Sequence, residues 1–158
     1  MRPIGSQGQS TTLAREAFCS GTIAGVAMIP FAAVFRSYGL RINEYGRKTL
    51  ALLVGDVSPR LHDLLTLIQH LVISWVVAVP LILLLRRIAG RRERVVVGAL
   101  YGAVFYVAIN SLALPVAFGD PTPWEMGFRT VYPSLVVHLV YGIVVARTAR
   151  QTAAAGPC

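Results

Sequence analysis

Imidazole, amide and phenol are the groups in this sequence that could do chemistry in apolar surroundings. His70 and His138 each sit inside a long apolar run, and Gln69, Tyr106, Asn110, Ser134 and Tyr141 fall in similar runs. An imidazole changes charge between about pH 5 and 8, so a histidine on a wetted face can gate or relay protons. Amides and phenols can hold such a ring, or a bound water, by hydrogen bonds. Ionisable residues inside a membrane are rare and tend to carry function. The plainer role, bonding one helix to the next, stays open for Asn110, Gln69, Ser134, Tyr106 and Tyr141. No H-E-x-x-H or G-x-S-x-G motif occurs, and every carboxylate lies at or near the end of an apolar run. This pattern predicts a non-enzymatic protein without a metal site.

Helical periodicity sorts these residues onto faces. At 100° per residue, His62, Thr66, Gln69 and His70 share one arc. Gly98, Gly102, Tyr106 and Asn110 follow one another four residues apart, while Ser134, His138, Tyr141 and Gly142 occupy a single face. Gly21 and Gly25 form a small-xxx-small pair that lets another helix come close. The simplest assembly turns all four faces inward. With a rise of 1.5 Å per residue, His70 and Asn110 lie about 10 Å from one membrane surface, and His138 and Tyr106 roughly 16–19 Å from it. Such a ladder, ending near the midplane, predicts a pocket or half-channel.

The elements that carry these faces follow from composition. Of 158 residues, 55% are hydrophobic and 14% charged, against about 25% charged in a soluble domain. Four apolar stretches, at residues 17–35, 64–85, 95–117 and 126–146, each approach the roughly 20 residues needed to cross a bilayer. The chain is therefore expected to be all-α, a single integral membrane domain built as a four-helix bundle. Leu50, Leu53, Val54 and Val57 follow helical spacing, which predicts a short amphipathic interfacial helix over residues 48–57. Ser58-Pro59 and Thr122-Pro123-Trp124-Glu125 carry helix-start signals, the second with a capping-box glutamate. Each span also contains one proline: Pro30, Pro80, Pro115 or Pro133.

The net charge of +8 would suit nucleic acid in a soluble protein, but here the basic residues cluster at the span ends, so the lipid bilayer is the expected partner. Arg2, Arg15, the Arg86–Arg94 cluster, Arg147 and Arg150 fall on one side of a four-span topology. The positive-inside rule then places both termini in the cytoplasm. Cys19 and Cys158 lack metal-ligand spacing and define no disulfide framework. Three functional classes remain open: a proton-responsive or small-ion-handling protein using His70 and His138; an accessory subunit or homo-oligomer docking through its glycine faces; and a b-type cytochrome with the two histidines as haem ligands, disfavoured because their depths differ by roughly 9 Å.

Gln69-His70-Leu71-Val72-Ile73-Ser74, the third span ending at Pro115, Pro123-Trp124-Glu125 and His138-Leu139-Val140-Tyr141 together resemble the YagU-like family of small bacterial inner-membrane proteins. The resemblance covers most of residues 17–150 and aligns the family's intramembrane histidines with His70 and His138. Where a third histidine is expected, five residues before the proline of span three, this chain has Asn110. The resemblance implies a bacterial inner-membrane protein associated with tolerance of acid.

Overall fold

The computed structural model describes residues 5–43, 45–55 and 57–149, with side chains from Thr12 onward. Arg2, Arg150 and Cys158 lie outside the described residues. All regular structure among them is helical: α1 (Gly5–Ser37), α2 (Tyr45–Val54), α3 (Pro59–Leu85), α4 (Arg91–Phe105), a π-helical segment (Tyr106–Ala113), α5 (Leu114–Phe118) and α6 (Phe128–Thr148). Helix α4, the π segment and α5 run on as one rod, Arg91–Phe118. With α1, α3 and α6 this makes four helices long and apolar enough to cross a membrane. Large apolar side chains face outward, including Val76, Val104 and Val116 at 64%, 65% and 75% exposure. Water would not tolerate such a surface and lipid would, so this is a multi-pass membrane protein.

Each helix begins and ends for a local reason. Ser58 caps α3 by accepting from the Leu61 N–H, and Pro59 supplies the first helical residue. Helix α2 stops at Gly55, whose φ of 63° breaks the helix; it spans Tyr45–Val54, three residues earlier than the amphipathic pattern predicts. The capping box at Thr122 forms as expected. Glu125 accepts from the Thr122 N–H at 2.6 Å, and the Glu125 N–H donates back to Thr122 Oγ1 at 3.4 Å. It closes a single turn, however, because Gly127 at φ 90° redirects the backbone. The fourth span therefore starts at Phe128 and not at 126. Pro30, Pro80 and Pro133 lie inside continuous helices. Pro115 follows the π segment after one residue, Leu114. In an α-helix its ring would press on the carbonyl four residues back, and the wider π turn relieves that clash.

The fourth span is the central one. In its most apolar window 44% of residues are buried, against 22% in each other span. It packs against α1 on one side and α4 on the other, while α3 packs mainly on α1. Backbone contact makes the α4–α6 seam tight. A Cβ at Gly98 would strike the Gly142 carbonyl, and one at Gly102 the His138 carbonyl. The α1–α3 seam is built alike, with Gly21 against the Ser74 carbonyl and Gly25 against the Ser74 side chain. Between the seams Ala24, Ala78, Leu81, Ile82, Val145 and Ala146 form the core.

One end of the bundle is fastened by charge. Arg86 donates to Glu16 at 2.8 Å. Buried Arg94 donates to the Leu85 and Ala149 carbonyls at 3.2 and 2.7 Å. A cation at two helix C-termini both satisfies orphan carbonyls and matches the helix dipoles. The polar groups of interest lie toward the opposite end.

Candidate functional site

Helices α4 and α6 approach closely enough, at their glycines, to bring His138 against the π segment. The His138 Nδ1 lies 2.6 Å from the Ser134 carbonyl oxygen, four residues back on its own helix. A carbonyl can only accept, so Nδ1 carries a proton. In the neutral ring Nε2 is then an acceptor, and Asn110 Nδ2 donates to it at 3.0 Å. Both nitrogens are thus engaged and the tautomer is fixed. Phe105 stacks near the ring with centroids 5.9 Å apart, and Tyr106 tilts against it at 5.5 Å.

The network continues toward the membrane surface through a residue that sequence reading missed. The Asn43 backbone N–H donates to Ser134 Oγ at 3.2 Å, and Asn43 Nδ2 donates to the Asn110 carbonyl at 3.3 Å. Asn43 lies in the connection before α2, where no periodicity marks it. Ser111 was also missed. It stands five residues after Tyr106, the π-helical repeat, and the two hydroxyls lie near each other. Both are buried without a well-formed hydrogen bond among the described residues. A π turn has no sequence signature of its own, although such turns recur at functional sites.

Of the residues singled out from sequence, Tyr106, Asn110, Ser134 and His138 come together here. His70 belongs to the other seam, where its Nε2 donates to the Gly25 carbonyl at 3.0 Å. Gln69 faces α2 near Gly46, with its buried Oε1 unpaired among the described residues. Tyr141 links the seams: its hydroxyl donates to the Ser74 carbonyl at 2.5 Å, and Ser74 Oγ donates to the His70 carbonyl at 2.8 Å. The four polar faces therefore divide between two helix pairs joined by one tyrosine. Axial ligation of one haem needs two imidazole nitrogens open to a shared space. Here the Nε2 atoms of His70 and His138 are each bonded within a different seam.

No family model, curated protein or solved structure matches the chain.

Above the His138 cluster lies a cavity of about 550 Å³, which Asn43 lines from one side and Thr130 from another. Lys48 pairs with Asp120 at its edge and sits 5.7 Å from the Tyr45 ring centroid. Burial, reinforced by the Asp120 carboxylate, pushes the Tyr45 phenol up, so it stays protonated and able to donate. Asn43 is shared by the cavity and the His138 cluster, which gives a change at the ring a short route to the surface.

Proposed function

We propose that this chain is a non-enzymatic membrane protein of the acid-response or small-ion-handling kind, with His138 as the group that takes up the proton. The observation that carries this reading is the clamp on both ring nitrogens. The bonds to Ser134 and Asn110 suit the neutral ring. A second proton must enter at Nε2, where it meets the Asn110 amide N–H groups. Accommodating it requires the Asn110 amide to turn and offer its oxygen, or the π segment to shift. A shift of the π segment moves the Asn110 backbone carbonyl that Asn43 holds, and so reaches the connection lining the cavity. The hydroxyls of Tyr106 and Ser111 provide a place for the water that delivers the proton. His70, fixed to a backbone carbonyl in the other seam, has a structural part.

The likeness of the His70 and His138 motifs to the acid-tolerance-associated YagU-like family favours the same reading. It also favours a bacterial inner membrane as the location. The arginines from Arg86 to Arg94, crowded into a short connection, favour cytoplasmic termini.

A titration tests the reading. In a Trp75→Phe background, Trp124 fluorescence reports on the turn beside the cavity. Full-length protein in lipid nanodiscs is expected to show a sigmoidal change as the pH is lowered from 8. The change should vanish in His138→Ala and persist in His70→Ala. A curve unaltered by His138→Ala overturns the assignment.

A further inference from the structure

Residues 40–55 cross one end of the bundle as a strap, most of it α2, tied to all three spans that carry the polar cluster and its neighbours. Asn43 bonds to Asn110 on the third span and to Ser134 on the fourth. Arg47 pairs with Asp63 on α3 at 2.9 Å. Buried Tyr45 stacks on Phe118 with ring centroids 5.7 Å apart. Lys48, the single lysine of the chain, pairs with Asp120 and lies 5.7 and 5.8 Å from the Tyr45 and Phe118 ring centroids. Asp120 is itself fixed at the end of α5, where its N–H donates to the Pro115 carbonyl at 2.9 Å. The strap's upper side lines the basic cavity through Arg41, Arg47 and Lys48. On its lower side a Cβ at Gly46 would sit 3.5 Å from the buried Gln69 Oε1. The strap is thus the layer between the cavity and the polar interior.

It is held lightly. Only Tyr45 and Leu50 of α2 are buried, and its two ion pairs are at the surface, where such pairs bind weakly. Segments with few buried apolar contacts and exposed bonds are the ones that open locally. Both ends pass through left-handed glycines, Gly39 at φ 70° and Gly55 at φ 63°, where an added Cβ would meet nothing within 4 Å. Exposed Leu52 and Leu53 give a released strap an apolar side for the membrane interface. We propose that the strap is a lid, which swings as one unit about Gly39 and Gly55 and, when open, admits water to Gln69, Asn110 and His138. Its latch is the Lys48 ammonium seated against Asp120, Tyr45 and Phe118. The lid's service to His138 rests on the proton-uptake reading above; its opening does not.

The test reads the rate at which Lys48 is acylated in the full chain in nanodiscs, by mass spectrometry at one fixed pH. The rate is scaled to a lysine peptide in the same tube, so that it reports how often the latch is open. Asp63→Asn removes the tie to α3 without touching Lys48, and Asn43→Ala loosens the ties to Asn110 and Ser134. Were the ties independent surface contacts, neither change would reach Lys48. A lid loosens as a whole, and each change should speed acylation roughly two- to fivefold. The thiol introduced by Gln69→Cys, under the strap, should react with a water-soluble maleimide faster by a similar factor when Asp63→Asn is added. Arg86→Gln, which breaks the ion pair with Glu16 at the other end of the bundle, should leave both rates unchanged. Lys48 acylation unmoved by Asp63→Asn and by Asn43→Ala, a thiol rate at position 69 that does not follow it, or equal acceleration in Arg86→Gln overturns the lid. Neither rate needs His138 to titrate, so a failed His138 titration leaves this test standing.

Discussion

His138 and His70 are both half-buried histidines on membrane-spanning helices, yet they meet different partners. His70 gives its proton to a backbone carbonyl, a bond that holds α1 to α3 whatever the charge of nearby side chains. His138 meets a side-chain amide that can turn, and the backbone carbonyl of the same residue, Asn110, accepts from Asn43. Interhelical side-chain bonds in membranes are worth about 0.6 kcal/mol on average, so exchanging this one for another arrangement is cheap enough for a proton to drive. Glu125 gives a second pH effect, of the same sign but at a different place. Its bonds from the Thr122 N–H and hydroxyl hold the carboxylate below its usual range. The stabilisation they lend to the turn is present above the ordinary carboxylate range and is lost as pH falls through the lowered value. Trp124 fluorescence should accordingly show a second, more acidic step that Glu125→Gln removes, with the His138 step left in place. A single merged step in wild type would contradict this separation.

At the scale of elements, the glycine seams decide how close the histidine comes to its partners. Gly98, Gly102 and Gly142 stand backbone to backbone across α4 and α6, so an added methyl group has no flexible side chain to displace. Gly142→Ala should cost about 1–3 kcal/mol, the usual penalty for overpacking, measured by unfolding in mixed micelles. Gly119→Ala meets no atom within 4 Å; there the smaller cost comes from φ 64° alone. Equal effects at the two positions would show that the seam is looser than described. The sequence announced these glycines through their four-residue spacing, and Ser58-Pro59 through cap chemistry, because both signals are local. The π segment was not legible, since it answers to Pro115 and to packing against α6. The true start of the fourth span was hidden for a similar reason: a capping box promises one turn, and the backbone at Gly127 then sets the direction of the chain.

For the whole molecule, apolar length and low charge were enough to read four spans, because the bilayer imposes both. Which faces meet was less accessible. Periodicity puts polar residues on a face but does not say which neighbour that face receives, and here two seams replaced one common interior. Asn43 carried no pattern at all, for its role depends on a connection folding back over the bundle. Charge gives the expected sidedness: a green fluorescent protein fused at the C-terminus should fluoresce in bacterial cells, and a periplasm-dependent phosphatase inserted after Gly39 should be active. The reverse pair of results would invert the topology and place the basic cavity on the cytoplasmic face.

Whether His138 is held neutral by its two bonds and responds when Nε2 is protonated can be read from ¹⁵N-histidine NMR of the protein in nanodiscs across pH 8 to 5, with His138→Ala to assign the signals. We expect the Nδ1–H tautomer at neutral pH and conversion to imidazolium on acidification while the helices stay folded. An Nε2–H tautomer at neutral pH, or a ring that stays neutral until the bundle unfolds, would refute the assignment of His138 as the responding group.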